Sequence, residues 1–202
     1  MWVHRLVALV KPGLMAEAVA HAKTAPPEEG VTYRMLRPVT GEDAGNKLIF
    51  EFSFEDPDAY FSWLGNPQPP DEWMKHWIEL SQFRGLHELY EVEHSVEAEG
   101  KPGTWVDRRI RYVKDRRRGE MITLWRGVSA LPVAGFSLRV LTPRTGERDG
   151  DILIIETTAT SLVELEKAIG AFGSSPEGSA FVLQLHALEQ CMATRELLRV
   201  VT

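Results

Sequence analysis

The chain has 202 residues, 44% of them hydrophobic, which is enough for a buried core and too apolar for a disordered segment. Its 23 basic and 29 acidic side chains leave a net charge of −6 with no long basic stripe, so nucleic acid is not an expected partner. The single cysteine, Cys191, excludes an internal disulfide framework and any CxxC metal or redox site. No stretch approaches the roughly 20 apolar residues that span a bilayer. Residues 3–10 include His4 and Arg5 with no A-x-A pattern after them, so no secretory leader is expected either. A cytoplasmic protein without a membrane partner follows as the expectation.

In chain order, residues 2–11 are rich in Val and Leu and read as a strand broken by Pro12-Gly13. Leu14, Met15, Ala18, Val19 and Ala22 have helical spacing, and Pro26-Pro27 stops that helix. Residues 31–36 and 47–54 are two strands joined by a long turn containing Gly41 and Gly45. Asp56-Pro57-Asp58 starts a second helix with apolar Tyr60, Phe61 and Leu64, interrupted by Asn66-Pro67-Gln68-Pro69-Pro70. A further helical stretch begins near Asp71, with a stripe of Trp73, Met74, Trp77, Ile78 and Phe83, and residues 87–94 close the unit as a strand.

The same order then returns. Residues 95–103 read as a linker, 105–114 as a strand, and Met121, Ile122, Trp125 and Val128 mark a helix whose basic start, 114–118, is taken as solvated surface. Strands 136–141 and 152–158 form a hairpin, and Leu162, Leu165, Ile169 and Phe172 mark a helix. Ser175-Pro176-Glu177 supplies a fresh N-cap and first turn, Phe181, Leu185 and Leu188 continue to Thr194, and 195–201 is the last strand.

The two halves match residue by residue. The segment from Arg34 to Glu51 and that from Arg139 to Glu156 both read R-x-L-x-P-x-T-G-E-x-x-G-x-x-L-I-x-E, and Trp2-Val3-His4-Arg5 matches Trp105-Val106-Asp107-Arg108. A repeat of this length is a whole supersecondary unit. The expected fold is therefore α+β: two tandem ferredoxin-like β-α-β-β-α-β repeats forming a pseudo-dimeric α/β barrel, with residues 1–94 and 104–202 as the repeats. Each half would use the other to cover the bare face of its sheet.

On these residues the chain resembles the dimeric α/β-barrel superfamily, and within it NIPSNAP-like proteins. The resemblance is carried by Arg109-Ile-Arg-Tyr-Val-Lys114, Arg139-Val-Leu-Thr-Pro143, Ser175-Pro-Glu-Gly178, Glu88-Leu-Tyr-Glu-Val92 and Glu196-Leu-Leu-Arg-Val200. It covers nearly the whole chain and implies the fold. The superfamily includes cofactor-free monooxygenases, haem enzymes and isomerases, so no single chemistry follows. One departure is that Asp115-Arg116 stands where the first half has Pro12-Gly13.

Strand alternation puts Tyr33, Met35, Leu48, Phe50 and Phe52, with Leu138, Val140, Leu153, Ile155 and Thr157, on faces suited to cover by helices. The opposite faces carry Arg34 against Glu51 and Arg139 against Glu156. One reading makes these cross-strand ion pairs that fix register. The other gives Arg34, Arg109, Arg111 and Arg139 an anionic or enolate ligand, with Glu51 or Glu156 accepting a proton. His4 and Asp107 hold equivalent positions and form a candidate interior acid/base pair.

His76 aligns with Gln184, and no H-x-x-x-H spacing occurs, so neither a metal nor another cofactor is expected. The functional expectation is a small organic molecule, anionic or aromatic, bound between the two sheets. The alternatives are a cofactor-independent monooxygenase or isomerase and a non-catalytic scaffold or stress-related protein, with an additional homodimer compatible with any of them.

Overall fold

The computed structural model describes residues 1–25, 31–40, 45–65, 72–129, 131–145 and 151–201. The expected helix stop at Pro26-Pro27, the turn at Gly41, the break at 66–70, Asp71 and the turn at 146–150 lie outside these residues. The strands are β1 (Trp2–Val10), β2 (Thr32–Pro38), β3 (Lys47–Phe54), β4 (Ser81–Val96), β5 (Trp105–Val113), β6 (Ser137–Thr145), β7 (Ile152–Ala159) and β8 (Glu189–Val200). The helices among the described residues are α1 (Met15–Ala22), α2 (Pro57–Gly65), α3 (Glu72–Leu80), α4 (Arg118–Arg126), α5 (Leu162–Ser174) and α6 (Pro176–Leu188). The fold is mixed α+β.

The chain divides into two compact units: Met1–Glu91 with Arg144–Glu147 and Arg199–Thr202, and Val92–Pro143 with Arg148–Leu198. In the first unit β1 lies antiparallel between β3 and β4, and β2 pairs with β3 so that Arg34 faces Glu51 and Leu36 faces Ile49, as the alternation predicts. One face of this sheet, with Ala8, Val10, Met35, Leu48 and Phe50, packs on Ala18 and Ala22 of α1 and Trp77 and Leu80 of α3. Alanines at i and i+4 let α1 approach the sheet closely. In the second unit β7 lies between β5 and β6, and Arg139 faces Glu156. Its core joins Val113, Leu138, Val140, Leu153 and Ile155 to Met121 and Trp125 of α4, Leu165 of α5 and Leu185 and Leu188 of α6.

Several helical stripes are narrower than expected. Tyr60 is buried on α2 while Phe61 and Leu64 are exposed, and on α3 Trp77 and Leu80 are buried while Met74 and Ile78 are exposed. Strand β4 begins at Ser81, so Phe83 belongs to the strand rather than the helix. The lysine ending each first strand explains where the helices stop. The Lys11 N–H donates to the Leu80 carbonyl and the Lys114 N–H to the Leu188 carbonyl, and their ammonium groups cap the Glu79 and Ala187 carbonyls. A cation on orphan carbonyls complements the negative end of the helix dipole.

The α5–α6 break has the sequence-expected cause. The Ser175 hydroxyl accepts from the Gly178 N–H at 3.0 Å and Pro176 occupies the first turn. A Cβ on Gly178 would stand 1.8 Å from the Phe172 carbonyl oxygen, which is why glycine follows the cap. The departure at Asp115-Arg116 changes chemistry but not conformation. Arg116 takes φ 61 where Gly13 takes φ 84, and the following residues, Arg117 and Leu14, share φ near −100 and ψ 7. An L-residue in this region is strained by about 1–2 kcal/mol, partly offset in glycine by its larger entropy loss on folding. Arg116→Gly is therefore expected to stabilise the protein by about 0.5–1 kcal/mol in urea unfolding; a lowered midpoint would contradict this account of the turn.

Candidate functional site

The hairpin pairs Arg34/Glu51 and Arg139/Glu156 are parts of longer rows. In the first unit Glu88 of β4, Arg5 of β1, Glu51 of β3 and Arg34 of β2 stand at one level, because Arg5 is in register with both Glu88 and Glu51, and Glu51 with Arg34. Glu51 Oε2 receives Arg34 Nε at 2.5 Å, Glu51 Oε1 lies 4.0 Å from Arg5 Nε, and Glu88 Oε2 lies 3.7 Å from Arg5 Nη1. The second unit repeats the row with Glu196, Arg108, Glu156 and Arg139. Arg108 Nη1 lies 3.6 Å from Glu156 Oε1, Arg108 Nε lies 3.7 Å from Glu196 Oε2, and Arg139 bonds Glu156 Oε2. Arg108 and Glu156 are fully buried side chains. Each central carboxylate is thus held by two guanidinium groups, an arrangement that neutralises charge and fixes register rather than leaving a base free to take a proton.

The other arginines singled out in sequence belong elsewhere. Arg109 and Arg111 are opposite Ile155 and Leu153, on the helix-covered face, not on the face of Arg34 and Arg139. Arg109 bonds Asp107 at 3.0 Å; Arg111 bonds Glu189 and lies 5.9 Å over the Trp125 ring. Arg5, Arg108, Glu88 and Glu196, which complete the rows, are the members sequence reasoning missed. All four occupy matching positions of the two halves, and that was the available signal.

His4 is opposite Phe52, which places it on the helix-covered face rather than on that of the Arg34–Glu51 pair. It is 2% exposed. Its ring stacks on Phe52 at 5.9 Å and His87 at 5.2 Å and is tilted against Tyr60 at 5.5 Å and Trp63 at 5.4 Å, both on α2. His4 Nε2 lies 3.0 Å from Nδ1 of His87, whose own side chain is exposed. His4 Nδ1 is buried with no hydrogen-bond partner. Burial, with His87 beside it, pushes the His4 imidazole down to about 4, so it is neutral at pH 7. An unpartnered N–H buried among rings costs more than an unpartnered lone pair, so the favoured tautomer donates Nε2–H to His87 and leaves Nδ1 as a bare base.

Asp107 does not pair with a histidine. It receives Arg109 and also Arg195, whose Nε and Nη2 both reach it at 3.0 Å and whose Nη2 bonds Glu166 of α5. Asp107 and Arg195 are the sequence counterparts of His4 and His87, so one pair of positions carries an imidazole dyad in one unit and an ion pair in the other. Among the described residues no three His, Cys, Asp or Glu side chains converge on a metal position, and no helix is long and apolar enough to cross a membrane. An open groove of about 630 Å³ between α4 and α6, lined by Arg117, Glu120, Thr123 and Gln184 among others, contains none of the sequence candidates.

No protein-family profile matches the chain, and no curated protein is significantly similar to it. Solved structures are. A candidate monooxygenase from Fusobacterium nucleatum matches with TM-score 0.67 and 12% identity over 100% of this chain and 92% of its own. A candidate monooxygenase from Lactobacillus acidophilus matches with TM-score 0.65 and 12% identity over 99% and 93%. An anthrone oxidase-like protein matches with TM-score 0.60 and 12% identity over 100% and 91%. The chain has the dimeric α/β-barrel fold. Identities this low establish the architecture alone.

Two measurements separate the rows from the histidine site. Glu156→Gln leaves the buried Arg108 and half-buried Arg139 guanidinium groups facing a neutral amide and is expected to cost about 3–5 kcal/mol of stability by chemical denaturation, whereas a loss below about 1 kcal/mol would show that the row is not structural. The His4 prediction follows from its sign. The unfolded state gains a proton near pH 6.5 and the folded state only near 4, so stability attributable to His4 is full above pH 6.5 and falls by about 1.4 kcal/mol per unit down to pH 4. Stability curves of wild type and His4→Phe should therefore diverge across that window; parallel curves would mean that His4 is not held neutral.

Proposed function

We infer that the protein binds a small aromatic, enolisable molecule beside His4 and oxidises it with molecular oxygen without a cofactor, His4 Nδ1 accepting the proton that leaves the ring carbon. The observation that carries this reading is a buried, neutral imidazole whose second nitrogen has no partner and whose walls are aromatic. The rings suit stacking on a planar substrate, and close positioning of Nδ1 against the ring carbon would have to offset the weak basicity of an imidazole whose pKa is pushed down. The fold shared with candidate monooxygenases and with an anthrone oxidase-like protein is compatible with it. Tyr60 and Trp63 of α2 stand beside the His4 ring at 5.5 and 5.4 Å, so the substrate would pack against α2.

The atoms balance for anthrone as probe. Loss of one proton from its methylene carbon gives a carbanion, dioxygen adds to that carbon, the peroxide is protonated, and elimination of water yields the quinone. The two electron pairs come from the substrate and reduce dioxygen. The paired carboxylates Glu51 and Glu156 are not the base in this scheme, and Arg34 and Arg139 serve the sheets. The narrower NIPSNAP-like kinship rests on motifs whose visible roles are structural: Arg139 in its row and Ser175 to Gly178 in a helix cap.

With anthrone in oxygenated buffer, wild type is expected to consume dioxygen and form anthraquinone above the buffer rate, and His4→Phe to lose about 100-fold or more of that rate while remaining folded. Oxygen uptake no faster than in buffer alone, or undiminished in His4→Phe, would overturn the reading.

A further inference from the structure

We propose that His87 is a proton-relay residue, which carries the proton between His4 at the buried end of the dyad and solvent at the other. The geometry is specific to this role. The rings are nearly parallel, 13° apart, with the nitrogens 3.0 Å from one another, one ring buried and the other exposed. Among the described residues no other titratable group takes this position. On the elements packed around His4, β3 contributes Phe52 and α2 contributes Trp63 and Tyr60, whose hydroxyl burial pushes upward and keeps protonated. The charged row of Arg5, Glu51 and Glu88 stands one residue out of phase on the same strands, hence on the opposite face.

The steps conserve protons. When His4 Nδ1 takes a proton, the one on Nε2 passes to His87 Nδ1 and the one on His87 Nε2 leaves to water. Both rings are then neutral in the opposite tautomer, with His87 Nδ1–H donating to His4 Nε2. A proton entering at His87 Nε2 reverses the sequence and appears at His4 Nδ1, the position from which a peroxide anion would be protonated. One outward and one inward transfer restore the starting state. Without His87, a proton arriving at His4 would have to leave through the ring-lined pocket. The second unit has no such pair of rings, because Asp107 and Arg195 form an ion pair at these positions.

The relay rests on the proposed oxidation for its purpose but not for its test. In protein with ¹⁵N-labelled histidine, a scalar coupling across Nε2–H···Nδ1 is expected, and exchange of the His4 Nε2 proton with water should slow by about 10-fold or more in His87→Gln. An unchanged exchange rate would overturn the relay whether or not anthrone is oxidised. In the anthrone assay His87→Gln should lose about 10-fold or more in kcat and regain it with added imidazole, a rescue that a merely structural role would not show. If His4→Phe abolishes oxidation while His87→Gln leaves it intact and insensitive to buffer, the oxidation stands and the relay falls. If wild type does not oxidise anthrone but the exchange rate falls in His87→Gln, the proton path stands and the substrate reading falls.

Discussion

Two buried rows of alternating charge, Glu88–Arg5–Glu51–Arg34 and Glu196–Arg108–Glu156–Arg139, set the register on which everything else in the two sheets depends. Slipping one strand by a residue would turn its apolar side chains away from the helices and bring a charge to face an aliphatic group. An unpaired buried ion costs several kcal/mol, so an out-of-register sheet is penalised at every strand of a row. Hydrophobic burial supplies most of the stability, while the rows make the arrangement unique. Because the central carboxylates are already shared by two guanidinium groups, the polar face of each hairpin is committed to structure.

The two units share that framework and differ at one pair of positions. Strand ends, lysine caps on the helix carbonyls and the left-handed turn after the first strand all recur, even where Arg116 replaces glycine and accepts the strain. On the helix-covered face, His4 and His87 occur where the other unit has Asp107 and Arg195. The ion pair satisfies every charge it carries and contributes order. The imidazole dyad leaves one buried nitrogen, His4 Nδ1, without a partner among aromatic rings.

Much of the fold was legible in the amino-acid sequence because the repeat reports it twice. Alternation puts Arg34 and Glu51, and Arg139 and Glu156, on shared faces, and the strands take the pairing expected for them. The split at Ser175-Pro176 was legible too, because cap chemistry is local. What alternation within a hairpin cannot give is the phase of the first strand against it. That phase decides that Arg108, not Arg109 or Arg111, joins the row, and that His4 turns toward α2. The exposed faces of α2 and α3 misled for a related reason: Phe61, Leu64, Met74 and Ile78 are apolar by type but lie off the stripe that the sheet covers.

The central claim is that the charge rows hold the sheets while the proposed ligand packs against the aromatic cluster around His4. It is tested most directly by titrating ¹⁵N-labelled protein with an oxidation-resistant planar analogue such as anthraquinone and mapping the shifts. The expected result is perturbation centred on His4, Phe52, Tyr60, Trp63 and His87, with the side chains of Arg34, Arg108 and Arg139 unmoved. Shifts centred on those arginines, with the His4 cluster silent, would contradict the account.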